Sequence, residues 1–226
     1  MKSRGKYAII YLLIFVCKNM GEKIKMIEAI LFDFDGVLTV DKTGSQSVLR
    51  CLSAKTGIAE DALGREYYKY NKALLYGKIT HRDMWEDFQR ALGKEIPFEI
   101  LRDAFRNTIL DWDMIEYARE LKQNYLLGLI TDNKADRMEE ILTWYQLKDL
   151  FDAVAVSAQC GYGKQEMPIF EMTLDALQVK PEACVFIDNT EKNLVIPRQM
   201  GLRTILFDDE NRDMGQFKKE LQAILV

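Results

Sequence analysis

The chain switches between two hydrophobic periodicities, with one long interruption. Short apolar runs at Glu28–Phe34, Tyr125–Thr131, Ala153–Val156, Ala183–Ile187 and Arg203–Phe207 read as buried strands. Helical spacing separates the later ones, through Met138, Ile141, Leu142 and Tyr145, then Ile169 to Leu177, then a segment interrupted by Pro197. A closing helix carries Phe217, Leu221 and Leu225. Strands separated by helices need crossover connections, so the pattern predicts an α/β fold, a Rossmann-like doubly wound parallel sheet covered on both faces. Ligands collect beyond the carboxyl ends of such strands.

The interruption is helical. Residues 46–125 show three- and four-residue spacing at Val48, Leu49 and Leu52, at Met84, Trp85 and Phe88, and at Met114, Ile115, Ala118 and Leu121. Thr80 with Asp83 three residues on is a capping-box signal. An insert leaving the carboxyl end of the first strand either lies over the site as a lid or extends the core. The expected division is a core over 28–44 and 112–226, an all-α cap over 45–111, and a leader of undetermined status over 1–27. In that leader Lys2, Arg4 and Lys6 precede an apolar run from Tyr7 to Cys17, too short for the ~20 residues of a bilayer-spanning helix. It has the length of a signal-peptide core, but no small-x-small cleavage site follows, and the domain is expected to begin near Met20 or Met26. A cytoplasmic protein without stable membrane association is expected.

Composition removes several functions. Lys plus Arg number 31 and Asp plus Glu 35, so the net charge is -4 and no broad basic surface for nucleic acid is expected. Cys17, Cys51, Cys160 and Cys184 include no CxxC pair and read as reduced thiols. The single histidine, His81, leaves triad or histidine-metal chemistry improbable; it reads as a capping or cap-surface residue.

Four polar features close four of the strands. Asp33 and Asp35 flank Phe34, and in extended geometry both point to one face while Phe34 enters the core. Adjacent carboxylates repel unless a cation lies nearby, and hard oxygen ligands suit Mg²⁺. Thr131 offers a hydroxyl; Lys164, flanked by Gly161 and Gly163, offers a point charge for phosphate; Asp188 adds a third carboxylate beside Asn189, with Asn193 a turn further. Each has a plainer use, as a turn pair, a helix cap or a solvated charge. Their order, each at a strand end, makes a phosphoryl-transfer inventory.

FDFDGVLT at 32–39, LITDN at 129–133, Gly163-Lys164 followed by Pro168-Ile169-Phe170, and FIDN at 186–189 with Asn193 resemble the four motifs of the haloacid dehalogenase-like hydrolases. The helical insert, with Gly77-Lys78-Ile79-Thr80 and Trp85, resembles the cap those proteins carry between their first two motifs. The resemblance implies a Mg²⁺-dependent phosphatase acting through an aspartyl-phosphate. Asp33 would be the nucleophile and Asp35 the acid-base group. Mg²⁺ would be held by Asp33, the Asp35 carbonyl and Asp188. Thr131, Asp132 and Lys164 would form the phosphate-binding set, with Asn189 and Asn193 in support. Two departures stand out: Asn189 replaces an acid common in relatives, and Gln165-Glu166-Met167 replaces Pro-Asp-Pro.

Asp35 argues against carbon-halogen and phosphonate cleavage, whose enzymes lack it. A phosphomutase and a catalytically weak binding or regulatory protein remain alternatives. A cap of this size favours a small phosphorylated metabolite. Candidate substrate contacts are Lys42 within the Thr39–Ser45 loop, Tyr68, Lys72 and Arg82; the tyrosines Tyr67, Tyr68, Tyr70 and Tyr76 read equally as packing. Oligomeric state is not legible.

Overall fold

A computed structural model describes residues 26–225, so the leader's apolar run and Cys17 lie outside the described residues. Among the described residues five parallel strands form one sheet: β1 (Ala29–Phe32), β2 (Leu126–Thr131), β3 (Ala153–Val156), β4 (Cys184–Asp188) and β5 (Arg203–Leu206), in the order β3-β2-β1-β4-β5. The chain order reverses at β1, which pairs with β2 on one side and β4 on the other. That switch point opens a crevice at the carboxyl end of β1. No helix among the described residues is long and apolar enough to cross a membrane.

Alternate residues of β1 enter different apolar layers, as period-two geometry requires. Ala29 and Leu31 pack with Ile169, Phe170, Leu174 and Leu177 of α9 (Met167–Leu177). Ile30 and Phe32 pack on the opposite face with Met114 and Leu121 of α6 (Trp112–Leu121), Met138 and Ile141 of α7 (Ala135–Trp144), and Phe217 and Leu221 of α11 (Met214–Leu225).

Between β1 and α6 the chain forms five helices: α1 (Gly44–Thr56), α2 (Glu60–Tyr67), α3 (Asn71–Leu75), α4 (His81–Leu92) and α5 (Phe98–Arg106). The expected capping box is present at α4: the Thr80 backbone N–H donates to Asp83 Oδ2 at 2.7 Å, and the Asp83 N–H donates to Thr80 Oγ1 at 3.3 Å. The outgoing and returning linkers meet at a bridge between Thr39 and Leu110. Val48, Leu52, Leu63, Tyr67, Phe88 and Phe105 of these helices belong to the same apolar cluster as Ile30 and Phe32. Polar contacts to α7 add to it: Arg106 Nε donates to Glu140 at 2.6 Å, and Arg102 Nε to the same carboxylate at 3.1 Å.

Three expectations are corrected. Strand β1 ends at Phe32, two residues short of Phe34, because the chain turns there: the Leu38 and Thr39 N–H groups both donate to the Phe34 carbonyl. His81 is not on the surface. It is fully buried, with Nδ1 2.8 Å from Asp136 Oδ1 and Nε2 2.7 Å from the Tyr67 hydroxyl. Pro197 does not interrupt a helix; it lies in the first turn of α10 (Val195–Met200), where an N–H would have no partner. Cys51, Cys160, at the end of the short helix α8 (Ser157–Cys160), and Cys184 are free thiols.

Candidate active site

Beyond the carboxyl end of β1 lies a cavity of about 340 Å³ lined by Asp33, Asp35, Thr131, Asp132, Lys164, Asn189 and Asn193 from the strand ends. The linker and inserted helices complete it with Lys42, Thr43, Gly44, Ser45, Tyr68, Asn71 and Leu75. The two aspartates reach it together, though not by strand alternation. Asp33 follows the last residue of β1, and the turn after it carries Asp35 round. Gly36 closes that turn at φ +84°, and the Asn189 amide packs so near that a Cβ on Gly36 would lie 2.1 Å from it. Both constraints call for glycine. Arg212 braces the turn by donating to the carbonyls of Gly36 and Val37 at 2.9 Å each.

At the base of the cavity Lys164 joins two carboxylates. Its ammonium lies 2.8 Å from Asp33 Oδ1 and 2.7 Å from Asp188 Oδ2, and all three residues are buried. Asp33 Oδ1 also accepts the Phe34 N–H at 2.7 Å, while Oδ2 accepts no hydrogen bond among the described residues. Asp188 is held further by the Thr190 N–H at 2.8 Å and the Asn193 amide at 3.2 Å. Burial, reinforced by Asp188 and Asp35 and opposed by Lys164, pushes the Asp33 carboxyl up to about 8. Burial works against the Lys164 charge too, but Asp33 and Asp188 outweigh it and raise its pKa.

With Asp33 and Asp188 both ionised, the base carries two carboxylates and one ammonium, one positive charge short, and the raised Asp33 carboxyl reflects that shortage. This deficit fits a divalent cation. Asp33, Asp188 and the Asp35 carbonyl would supply hard oxygen ligands, with waters completing a magnesium shell. Asn193 Oδ1 is buried with no hydrogen-bond partner, as an acceptor reserved for a bound water would be. The described residues hold no cluster of three or more acidic, histidine or cysteine side chains suited to a metal.

The Asp35 end differs. Arg137, on α7, forks onto both Asp35 oxygens at 2.9 Å, and the Asn133 amide donates to Oδ2 at 2.8 Å. Lys134 lines the cavity nearby, 5% exposed, and donates to Ser45 Oγ at 3.2 Å. Burial and the neighbouring Arg137 pull its ammonium down to about 8.

The remaining candidates divide. Thr131 is buried, lines the cavity and accepts the Asn133 amide at 3.3 Å. Asp132 spends one carboxylate oxygen on the Lys164 backbone N–H at 2.9 Å and so anchors the lysine loop. Glu166, the departure in that loop, accepts the Gly163 N–H at 2.9 Å and shapes the same turn. Asn189 donates to Asp209 Oδ2 at 2.8 Å, and Lys42 is paired at the rim with Asp209 and Glu210. An acidic loop after β5 thus stands beside the asparagine that replaces an acid. Tyr68 lines the cavity; Lys72 does not and is exposed. Asn71 and Leu75, four apart, share the helix face that looks inward, and Lys72 is rotated away. Arg82 stacks on Phe98, 4.1 Å from the ring centroid. Asn133, Lys134, Arg137, Asp209 and Arg212 were missed. The first three follow Thr131 within two helical turns, where a cation-rich stretch beside a strand end was the available signal.

The chain is 28% identical over 218 residues to the bifunctional epoxide hydrolase 2 of Rattus norvegicus, covering 85% of this chain but 38% of that protein. It is 25% identical over 215 residues to the D-ribitol-5-phosphate phosphatase of Bacteroides thetaiotaomicron, covering 88% of this chain and 99% of that one. A solved structure of a HAD family enzyme from Bacteroides thetaiotaomicron, complexed with magnesium and inorganic phosphate, shares the fold with a TM-score of 0.66 at 16% identity, over 84% of this chain and 99% of the other. The profile of the haloacid dehalogenase-like hydrolases matches residues 27–201, and the chain belongs to that family.

Proposed function

We propose that the chain is a Mg²⁺-dependent phosphomonoesterase that acts through a phosphoryl group carried covalently on Asp33. The observation that carries this reading is the buried Asp33–Lys164–Asp188 cluster, with an unbonded Asp33 oxygen and a second carboxylate two residues on. Asp33 Oδ2 attacks phosphorus, and the ester bond to the leaving oxygen breaks. Asp35 gives its proton to that oxygen, then takes one from the water that releases phosphate from Asp33. Lys164 holds the Asp33 carboxylate in place and offsets charge on the phosphoryl oxygens, to which Thr131 offers a hydroxyl. Bound Mg²⁺ would supply the missing positive charge, without which a phosphate dianion is repelled by two carboxylates.

The cavity walls favour a small hydroxylated ester. Thr43, Ser45, Asn71, Lys134 and Asn189 line it with donors and acceptors, against Leu75 and Tyr68 as apolar surface. The Bacteroides phosphatase of nearly the same length, named for a polyol phosphate, supports that class. The test is phosphate release from polyol phosphates, sugar phosphates, nucleotides and glycolytic esters, with Mg²⁺ and with EDTA. Mg²⁺-dependent turnover lost in Asp33→Asn is expected. Turnover that survives that change ends the nucleophile assignment.

A further inference from the structure

Arg137 takes no part in the steps above, yet it is the most deeply buried cation among the described residues, 1% exposed. Its two terminal nitrogens grip Asp35 as a parallel fork at 2.9 Å each. Nη1 also donates to Asn133 Oδ1 at 3.0 Å, and Nη2 to Thr108 Oγ1 at 3.3 Å. Thr108 lies on the returning linker. On the outgoing side the guanidinium packs against Gly44, the first residue of α1, so closely that a Cβ there would fall 2.2 Å from Nη1. Nε is buried without a partner, so the guanidinium is aimed at Asp35 and the linkers at the expense of its own hydrogen bonding. The turn bearing Asp35 and both linkers to the inserted helices therefore converge on one side chain.

We infer that Arg137 is a positioning residue, which sets the direction of the Asp35 carboxyl group from the two linkers and so governs proton delivery to the leaving oxygen. The inference rests on the phosphatase reading. A bidentate fork fixes the carboxyl plane, and it uses one lone-pair direction on each oxygen. The Asn133 amide takes the second direction on Oδ2, so Oδ1 keeps the free one for the proton that passes to the leaving oxygen as the ester bond breaks. A lysine there would keep the charge and lose the planar fork.

The leaving group separates positioning from packing. An alkoxide needs the Asp35 proton to depart, whereas nitrophenolate departs without it. The experiment compares kcat/KM for an alkyl phosphate and for p-nitrophenyl phosphate, with Mg²⁺, in the full chain and in Arg137→Met, Arg137→Lys, Gly44→Ala, Asp35→Asn and the Arg137→Met/Asp35→Asn double variant. Arg137→Met is expected to lower kcat/KM for the alkyl ester by about 30-fold or more and for the aryl ester by less than about threefold. Arg137→Lys should fall between wild type and Arg137→Met. In the Asp35→Asn background the arginine change should cost no more than about twofold, since one function is already gone. If Arg137→Met does not fold, Gly44→Ala gives the same readout by pushing the guanidinium off the fork. Equal losses for both esters, or losses that multiply in the double variant, overturn the inference while the phosphatase reading stands. If wild type hydrolyses neither ester with Mg²⁺, that reading falls and takes the inference with it.

Discussion

Asp33 and Asp35 stand two residues apart in opposite electrostatic surroundings. Asp33 shares one lysine with Asp188, so negative charge exceeds positive in a buried space. Asp35 is gripped by Arg137, with the buried Lys134 close behind, so there positive charge is in excess. The same DxD spacing thus creates one end that calls for a cation and another that already has them. The division suits a reaction in which one carboxylate must attack a dianion while its neighbour only handles protons.

The most severe way to test the contrast is to neutralise each carboxylate. Asp33→Asn should reduce phosphate release by at least about 10³-fold, as loss of a nucleophile does. Lys164→Met should cost ~10²–10³ in kcat, and it should lower Tm because two buried carboxylates lose their shared cation, a change worth ~3–5 kcal/mol. Asp35→Asn should reduce kcat/KM for alkyl esters by about 10²-fold, with a smaller effect on aryl esters. An equal loss at both aspartates for both esters would erase the distinction between the two ends.

Metal removal reads the charge deficit directly. The folded Asp33 carboxyl titrates near 8, above its ordinary 3.8, so the metal-free folded state binds a proton that the unfolded chain releases. That contribution is complete below about pH 4 and is lost as pH rises through about 8. With EDTA, Tm should fall by about 5 °C or more between pH 5 and 8.5, and saturating Mg²⁺ should recover most of the loss at the alkaline end. A flat EDTA profile would mean that the base of the cavity lacks no charge. The smallest effect is expected from Asp209→Ala, which leaves Asn189 without its acceptor. Mg²⁺ affinity, measured by calorimetry, should weaken by about tenfold, the lower range for groups that support a metal site without touching the ion.

Much of this was legible in the residue pattern, for definite reasons. Strands buried on both faces announce themselves as apolar runs, so all five are legible with every end within two residues. Asp33, Asp188 and Lys164 were readable because each follows such a run. Arg137 was not: it lies on a helix whose apolar stripe of Met138, Ile141 and Leu142 hides a buried cation one residue earlier. His81 was misplaced because burial of a polar ring depends on partners, Asp136 and Tyr67, that lie 55 and 14 residues away. The reach of Asp35 into the cavity was anticipated on strand geometry, while the chain achieves it by a turn that no period predicts.

The apolar cluster that continues from the sheet into the inserted helices bears on how a substrate travels. Swinging those helices aside would strip Val48, Leu52, Tyr67 and Phe105 from their neighbours, a cost set by buried area rather than by any hinge. With the helices in place, a substrate would enter past the exposed part of the cavity lining, Lys42, Thr43, Tyr68 and Lys192.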